Sequence, residues 1–156
     1  MAQGTKPRGR RTPLRVNRLQ IDFVILADAA QVNSGKLSML GGGWNIYPSQ
    51  QYPAALPFAV AIGILVPWQE TNRKHRFEFV IRRAEGETLG KGAGDFEIGR
   101  EAGLPPGMTQ RVTLAVGGQL GIPGPGTYEV AVTIPDDQKI ITFEALLPAR
   151  PPSKPS

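Results

Sequence analysis

The chain has 156 residues with 19 glycines, 15 prolines, no cysteine, one histidine and a formal net charge of +5. Without cysteine, a disulfide framework, a thiolate metal site and a cysteine nucleophile are excluded. The lone His75 cannot build a multi-histidine metal centre. The length indicates one domain, and we expect no metal, no cofactor and no catalytic residue.

The positive charge is concentrated in two terminal segments. Residues 1–18 carry six bases and no acid, residues 148–156 add two bases, and residues 19–147 are left with a net charge of −3. Both segments have too few apolar side chains to offset the entropy of ordering. We therefore predict a disordered basic arm over 1–18 and a disordered, proline-rich segment over 148–156. The arm bases are Lys6, Arg8, Arg10, Arg11, Arg15 and Arg18.

No apolar run approaches the ~20 residues that a membrane-spanning helix needs. The basic start is not followed by the apolar region of a secretory signal. A cytoplasmic location is the resulting expectation.

The first predicted elements form a strand and a hairpin. Alternating apolar residues predict a strand over 19–27, and the turn signal at 33–35 leads into a returning strand over 36–40. Three glycines at 41–43 then interrupt the pattern before it resumes at 44–47, which indicates a bulge or a crossing between sheets.

The middle of the chain continues in strands. Residues 58–66 are a nearly continuous apolar run, typical of a central strand covered on both faces, and 67–72 form a polar loop with room for one helical turn. Residues 75–82 alternate cleanly. Two short segments at 88–89 and 95–98, separated by glycines, are predicted as edge strands.

The last third contains a strand over 110–116, a glycine- and proline-rich loop over 121–126, and a hairpin formed by 127–134 and 139–147. Short strands with Gly/Pro turns and no helical periodicity predict an all-β domain over 19–147. The favoured architecture is an antiparallel β-sandwich, immunoglobulin-like or C2-like, with a barrel as the alternative.

Residues 23–44, which contain Ala-Gln-Val, Gly-Lys-Leu and Gly-Gly-Gly-Trp, resemble the opening of a bacterial family of small all-β proteins of unknown function. Weaker similarity continues to residue 147. The resemblance implies an all-β fold and a bacterial intracellular setting, and it supplies no functional residues.

Some motifs are better explained by structure than by chemistry. Ser34-Gly35-Lys36 lacks the order of a phosphate-binding loop, because the glycines follow the lysine and no helix comes after them. His75 shares a face with two phenylalanines, which favours a structural histidine. Asp28 follows an apolar run and is expected to bind a turn backbone through its side chain.

The candidate binding residues are Trp44, Trp68, Asn72 and Arg73, which would form a loop-end site. For Trp68 the favoured interpretation is a cap on the end of the sandwich, with an aromatic anchor as the alternative. A pocket that combines Asp28, Trp44, Trp68 and His75 is the basis for a small-ligand or carbohydrate site.

The leading hypothesis is a non-enzymatic module for protein–protein interaction, self-association or assembly, acting through loops or a strand edge. The first alternative is binding of an anionic polymer such as a nucleic acid through the arm. The second is small-ligand or carbohydrate binding at a loop-end pocket.

Overall fold

The computed structural model describes residues 12–149, and within them the regular structure is ten β-strands and one short 3-10 turn. The strands are β1 (Gln20–Ala27), β2 (Ala29–Asn33), β3 (Lys36–Leu40), β4 (Ile46–Pro48), β5 (Ala54–Val66), β6 (His75–Arg83), β7 (Thr88–Phe96), β8 (Gln110–Ile122), β9 (Gly126–Ile134) and β10 (Asp137–Leu146); the 3-10 turn is Trp68–Glu70. No helix of the described residues is long and apolar enough to cross a membrane.

Two sheets and a separate hairpin make up the domain. The larger sheet has the strand order β4-β10-β9-β6-β7, the smaller has the order β1-β5-β8, and β2 pairs only with β3. All strand pairs are antiparallel except β4 and β10, which run parallel. The β-sandwich prediction is confirmed. The barrel alternative is wrong, because the described strands remain in separate sheets.

The core lies between the two sheets and draws apolar side chains from both. Alternate residues of β5 from Leu56 to Val66 face it from the smaller sheet, and Tyr128, Val130 and Phe143 face it from the larger one. Burial of this apolar surface is the main stabilising contribution to such a domain.

The other face of β5 is also buried from Ala59 onward, where it carries the small residues Ala59, Ala61 and Gly63 and then Leu65. The β2–β3 hairpin contacts both β5 and β8. At its tip the Thr113 hydroxyl donates to the Gly35 carbonyl at 3.2 Å. The continuous apolar run in the sequence thus reflects a strand that is covered on both faces.

The structure differs from the predicted elements at two glycine-rich places. The segments predicted at 88–89 and 95–98 are one edge strand, β7, which pairs with β6 along its length. Strand β8 continues to Ile122 because all thirteen residues of β5 pair with it. In both strands, pairing with a long neighbour overrides the low strand propensity of glycine.

Part of the predicted arm contacts the domain. The Thr109 backbone amide donates to the Leu14 carbonyl at 2.9 Å, and the Val16 amide donates to the Thr109 hydroxyl at 2.8 Å. The Gln69 side-chain amide donates to the Asn17 carbonyl at 3.0 Å. These bonds attach residues 14–17 to the end of the sandwich that carries the 3-10 turn.

Candidate functional site

The four residues predicted to form a loop-end site lie at two ends of the sandwich. Trp68, Asn72 and Arg73 follow the last residue of β5, Val66. Trp44 lines a groove with Leu56, near the first residue of β5. Ten strand steps separate Leu56 from Val66, a distance of about 33 Å at ~3.3 Å per residue. The structure therefore brings three of the four residues together and places Trp44 apart.

Trp68 is held at its end of the sandwich by Arg100. The Arg100 guanidinium carbon lies 4.0 Å from the Trp68 ring centroid. Its Nη2 donates to the Trp68 carbonyl and its Nε to the Thr71 hydroxyl, both at 2.8 Å. One face of the indole is therefore covered by a cation of the same chain.

The rest of this loop is held in place by hydrogen bonds to neighbouring residues and to the segment after β7. Asn72 has a φ of 59°, and its backbone amide donates to the Ile98 carbonyl at 2.8 Å. The His75 Nε2 is hydrogen-bonded to the Glu70 carbonyl at 2.8 Å, and the histidine ring is buried. Arg73 is the exception, with 67 % of its side chain exposed and a distant 3.9 Å contact to Glu70.

A groove at the opposite end combines aromatic, proline and acidic side chains. It has a volume of about 460 Å³ and opens between the edge strand β4 and the first residues of β5. Its lining residues are Asp28, Trp44, Ile46, Tyr47, Pro48, Leu56 and Pro57. We call this feature the Trp44 groove.

The glycines at 41–43 precede Trp44, and Gly41 packs closely against Asp28, which lines the Trp44 groove. Gly41 has a φ of 59°, and a Cβ atom at this position would collide with the Asp28 carboxylate. The Asp28 backbone amide donates to both the Leu40 and Gly41 carbonyls at 3.1 Å. The expectation for Asp28 was therefore wrong in one respect, because its backbone rather than its side chain holds the turn, and the carboxylate lies exposed.

Trp44 is anchored to the core by a series of aromatic contacts. Its ring meets Phe143 edge-on at a centroid distance of 5.6 Å, and Phe143 stacks on Tyr128 at 5.2 Å. The Tyr128 hydroxyl donates to the Gly124 carbonyl at 2.6 Å, and its bond from Arg83 raises the pKa of that guanidinium. The Trp44 Nε1–H is buried without a hydrogen-bond partner among the described residues.

Exposed apolar side chains lie on the segments next to the groove: Ile46 lines it, Leu146 pairs with the lining residue Pro48, and Leu40 is hydrogen-bonded through its carbonyl to Asp28. Leu40 is 72 % exposed, Leu147 57 % and Ile46 52 %, and Met39 and Leu146 are also exposed. A second hollow of about 340 Å³ lies along the β2–β3 hairpin beside Met39 and Leu40. We call these five exposed side chains the apolar rim of the Trp44 groove.

The strand that leaves this end of the sandwich is fixed at Leu146. The Leu146 carbonyl accepts hydrogen bonds from the Ser49 amide at 2.9 Å and from the Tyr52 hydroxyl at 2.8 Å. Burial raises the pKa of Tyr52, and the nearby Tyr47 and Tyr128 raise it further. The chain therefore continues to residue 147 from a defined point beside Pro48.

Two of the six arm bases lie within the described residues. Arg15 donates through Nη2 to the Pro106 carbonyl at 3.1 Å, and Arg18 is exposed. Lys6, Arg8, Arg10 and Arg11 lie outside the described residues. Within residues 12–149, no group of three or more acidic or histidine side chains is arranged to hold a metal ion.

Reasoning from the sequence missed Arg100 and most of the apolar rim. Nothing in the sequence near Arg100 indicates a partner 32 residues away. The prolines at 48 and 57 were visible as loop signals, but their place in one groove with Trp44 depends on how β4 and β5 are arranged. Exposure of Leu40 and Ile46 cannot be inferred from alternation alone.

Comparison with known proteins gives a family and a distant structural likeness. Residues 22–143 match DUF6941, described as a family of unknown function. No curated protein matches the sequence. A crystal structure of the C-terminal domain of wzt is similar at a TM-score of 0.48 and 8% sequence identity, covering 89% of this chain and 80% of that one. The chain belongs to the DUF6941 family, as the resemblance of residues 23–44 indicated.

Proposed function

We propose that this DUF6941 member is a non-enzymatic, cytoplasmic interaction module that binds another protein through the Trp44 groove and its apolar rim. The observation that carries the proposal is the exposure of Leu40, Ile46 and Leu147 around a groove with an aromatic anchor. Contiguous exposed apolar surface on a small domain marks an interaction site. A partner that covered these side chains would remove apolar area from water at about 25 cal/mol per Å².

The groove has the organisation of an interface centre. Trp44 is a rigid aromatic fixed from behind by Phe143, so little side-chain entropy is lost when a partner packs against it. Tryptophans in such positions commonly contribute most of the binding free energy, while the surrounding apolar residues exclude water. The Trp68 end lacks this organisation, because Arg100 covers one face of its indole.

The test compares binding by surface variants of the full chain. Protein that co-purifies with the wild-type chain from native lysate is identified, and its dissociation constant is measured with Leu40→Ser/Ile46→Thr and with Ile140→Thr. Ile140 is also exposed, at 44 %, but lies on β10 six residues before Leu146. We expect at least a tenfold weaker affinity for the double variant and little change for Ile140→Thr. Equal weakening in both, or none in either, would contradict the proposal.

A second candidate function is binding of an anionic polymer by the basic arm. The bonds of residues 14–17 to Thr109 and Gln69 place Arg15 and Arg18 at the same end of the sandwich as the exposed Arg73. Cations gathered in this way attract nucleic acid through counterion release. This function would use the end of the domain opposite to the Trp44 groove.

Its test is the salt dependence of binding to duplex DNA and RNA. Replacing Lys6, Arg8, Arg10 and Arg11 with Gln should reduce the slope of log K against log salt by roughly 0.9 for each phosphate that the arm no longer neutralises. The matched control neutralises four cations elsewhere, Lys36, Arg76, Lys91 and Lys139. If both variants weaken binding equally, the arm has no specific role.

A further inference from the structure

We infer that the Trp44 groove is occupied in the free protein by the chain's own segment 150–156, which a binding partner must displace. This inference rests on the proposed function for its regulatory meaning, since it names what competes for the same groove. Three features of the described residues support it: the composition of the groove, its charge, and the position from which the segment starts.

The composition of the groove suits a proline-rich ligand. Trp44 and Tyr47 provide aromatic surface, and Pro48 and Pro57 add flat apolar walls. Proline-rich segments dock in aromatic-lined grooves because their polyproline II conformation is largely preformed and loses little entropy on binding. Residues 150–156, Arg-Pro-Pro-Ser-Lys-Pro-Ser, contain three prolines spaced to present such a surface.

The charges of the groove and the segment are complementary. The exposed Asp28 carboxylate lines the groove, and no ion pair is formed by it within residues 12–149. Arg150 and Lys154 are the two bases of the segment. A guanidinium or ammonium group beside Asp28 would add a partly exposed ion pair, of the order of 0.2–1 kcal/mol, and would set the direction of the segment.

The segment starts next to the groove. Ser49 and Tyr52 hold the Leu146 carbonyl beside Pro48, which lines the groove. From there, ten residues in polyproline II conformation reach about 31 Å at ~3.1 Å each. Four residues of extended chain from Pro48 back to Trp44 cover only about 13 Å. A short tether of this kind gives a millimolar effective concentration, so even a weak site is filled in cis.

The experiment uses Trp44 as its own reporter in the full chain. In a Trp68→Phe background, Trp44 is the only tryptophan. We compare this protein with a version in which Pro151, Pro152 and Pro155 are replaced by Gly and Arg150 by Ser. If the segment covers the indole, these replacements should raise the acrylamide quenching constant of Trp44 at least twofold. An unchanged quenching constant would overturn the inference.

A synthetic peptide of residues 149–156 then separates the possible occupants. It should bind the replaced protein and restore low quenching, and it should bind the unreplaced protein at least tenfold more weakly, because the site is already filled. Asp28→Asn in the replaced protein should weaken its affinity for the peptide. A peptide with the same residues in scrambled order should not bind. Equal peptide binding to both proteins would contradict occupancy in cis.

Light scattering distinguishes cis occupancy from exchange of the segment between two copies. Protection of Trp44 that grows with protein concentration, together with a dimer, would overturn the inference in favour of a second copy as the occupant.

The inference and the proposed function fail separately. Unchanged quenching refutes the segment but leaves partner binding intact, whereas partner binding that is insensitive to Leu40 and Ile46 refutes the function but leaves the quenching result standing.

Discussion

Arg100 lies over the ring of Trp68, with its guanidinium carbon 4.0 Å from the ring centroid and two of its nitrogens hydrogen-bonded to the Trp68 carbonyl and the Thr71 hydroxyl. One side chain thus joins the loop after β7 to the 3-10 turn after β5. The contact combines a cation–π interaction with two hydrogen bonds, which makes Arg100 the centre of this end of the domain.

Arg100→Ala should lower the free energy of unfolding by about 1–2 kcal/mol, since a cation–π contact and the net worth of its hydrogen bonds are each of the order of 1 kcal/mol. Urea denaturation measures the decrease. Arg100→Lys keeps the charge but not the forked geometry and should recover less than half of it. Full recovery by Lys would show that charge alone is responsible.

Gly41→Ala should destabilise the protein more than Gly35→Ala. Both glycines have positive φ, 59° and 72°, so each alanine carries a conformational cost of about 1–2 kcal/mol. Only at Gly41 would the new methyl group also collide with Asp28, since nothing lies within 4 Å of a Cβ at Gly35. Thermal unfolding should show the larger destabilisation at Gly41. Adding Asp28→Ala should remove most of the excess, because it deletes the carboxylate and leaves only the Cβ at 3.2 Å. Persistence of the full excess would place its origin elsewhere.

Trp44→Phe and Trp44→Ala should differ sharply in how much they destabilise the protein. Trp44→Phe retains most of the packing against Phe143 and removes an N–H that is buried without a partner among the described residues. Because an unsatisfied buried donor costs about 1–3 kcal/mol, its removal should offset much of the reduction in buried area. Trp44→Ala removes the ring itself and should cost at least ~2 kcal/mol more than Trp44→Phe. Equal destabilisation in denaturant titrations would refute this account.

Stability should fall at high pH through Tyr52. Its folded pKa is raised above the ordinary value of 10.0, chiefly by burial. A group whose pKa is raised on folding contributes stability that is fully present below its unfolded pKa and is lost as pH rises through its folded pKa. The unfolding free energy should therefore decline above pH ~10. Tyr52→Phe should flatten part of that decline in denaturant titrations at a series of pH values, and an unchanged decline would contradict the assignment to Tyr52.

The strands were predictable from the sequence where local pattern and tertiary environment agree. In the hairpin that ends in β10, Tyr128, Val130 and Val132 of β9 alternate with more polar residues, and the apolar run of β5 reflects burial on both faces. β7 was harder to predict, because its glycines at 90, 92 and 94 have no strand propensity of their own and depend on the phenylalanines and isoleucine of β6 that lie opposite.

The candidate site was only partly predictable, because it depends on contacts between distant segments. Trp68, Asn72 and Arg73 are neighbours in sequence and remain neighbours in space. Trp44 meets Leu56 and Phe143 only after β4 has paired in parallel with β10. A parallel pair needs a long connection, so local periodicity carries no trace of it.

The attachment points of the two terminal segments have a mechanical consequence. The Leu14 carbonyl is hydrogen-bonded to Thr109 at one end of the sandwich, and the Leu146 carbonyl is hydrogen-bonded to Ser49 and Tyr52 at the other. A pulling force applied through them would run nearly along the strands. The ladders of β9 with β10 and of β1 with β5 would then be loaded in shear, with many backbone hydrogen bonds strained at once rather than opened one by one. We therefore expect the domain to resist stretching along this axis more strongly than across it.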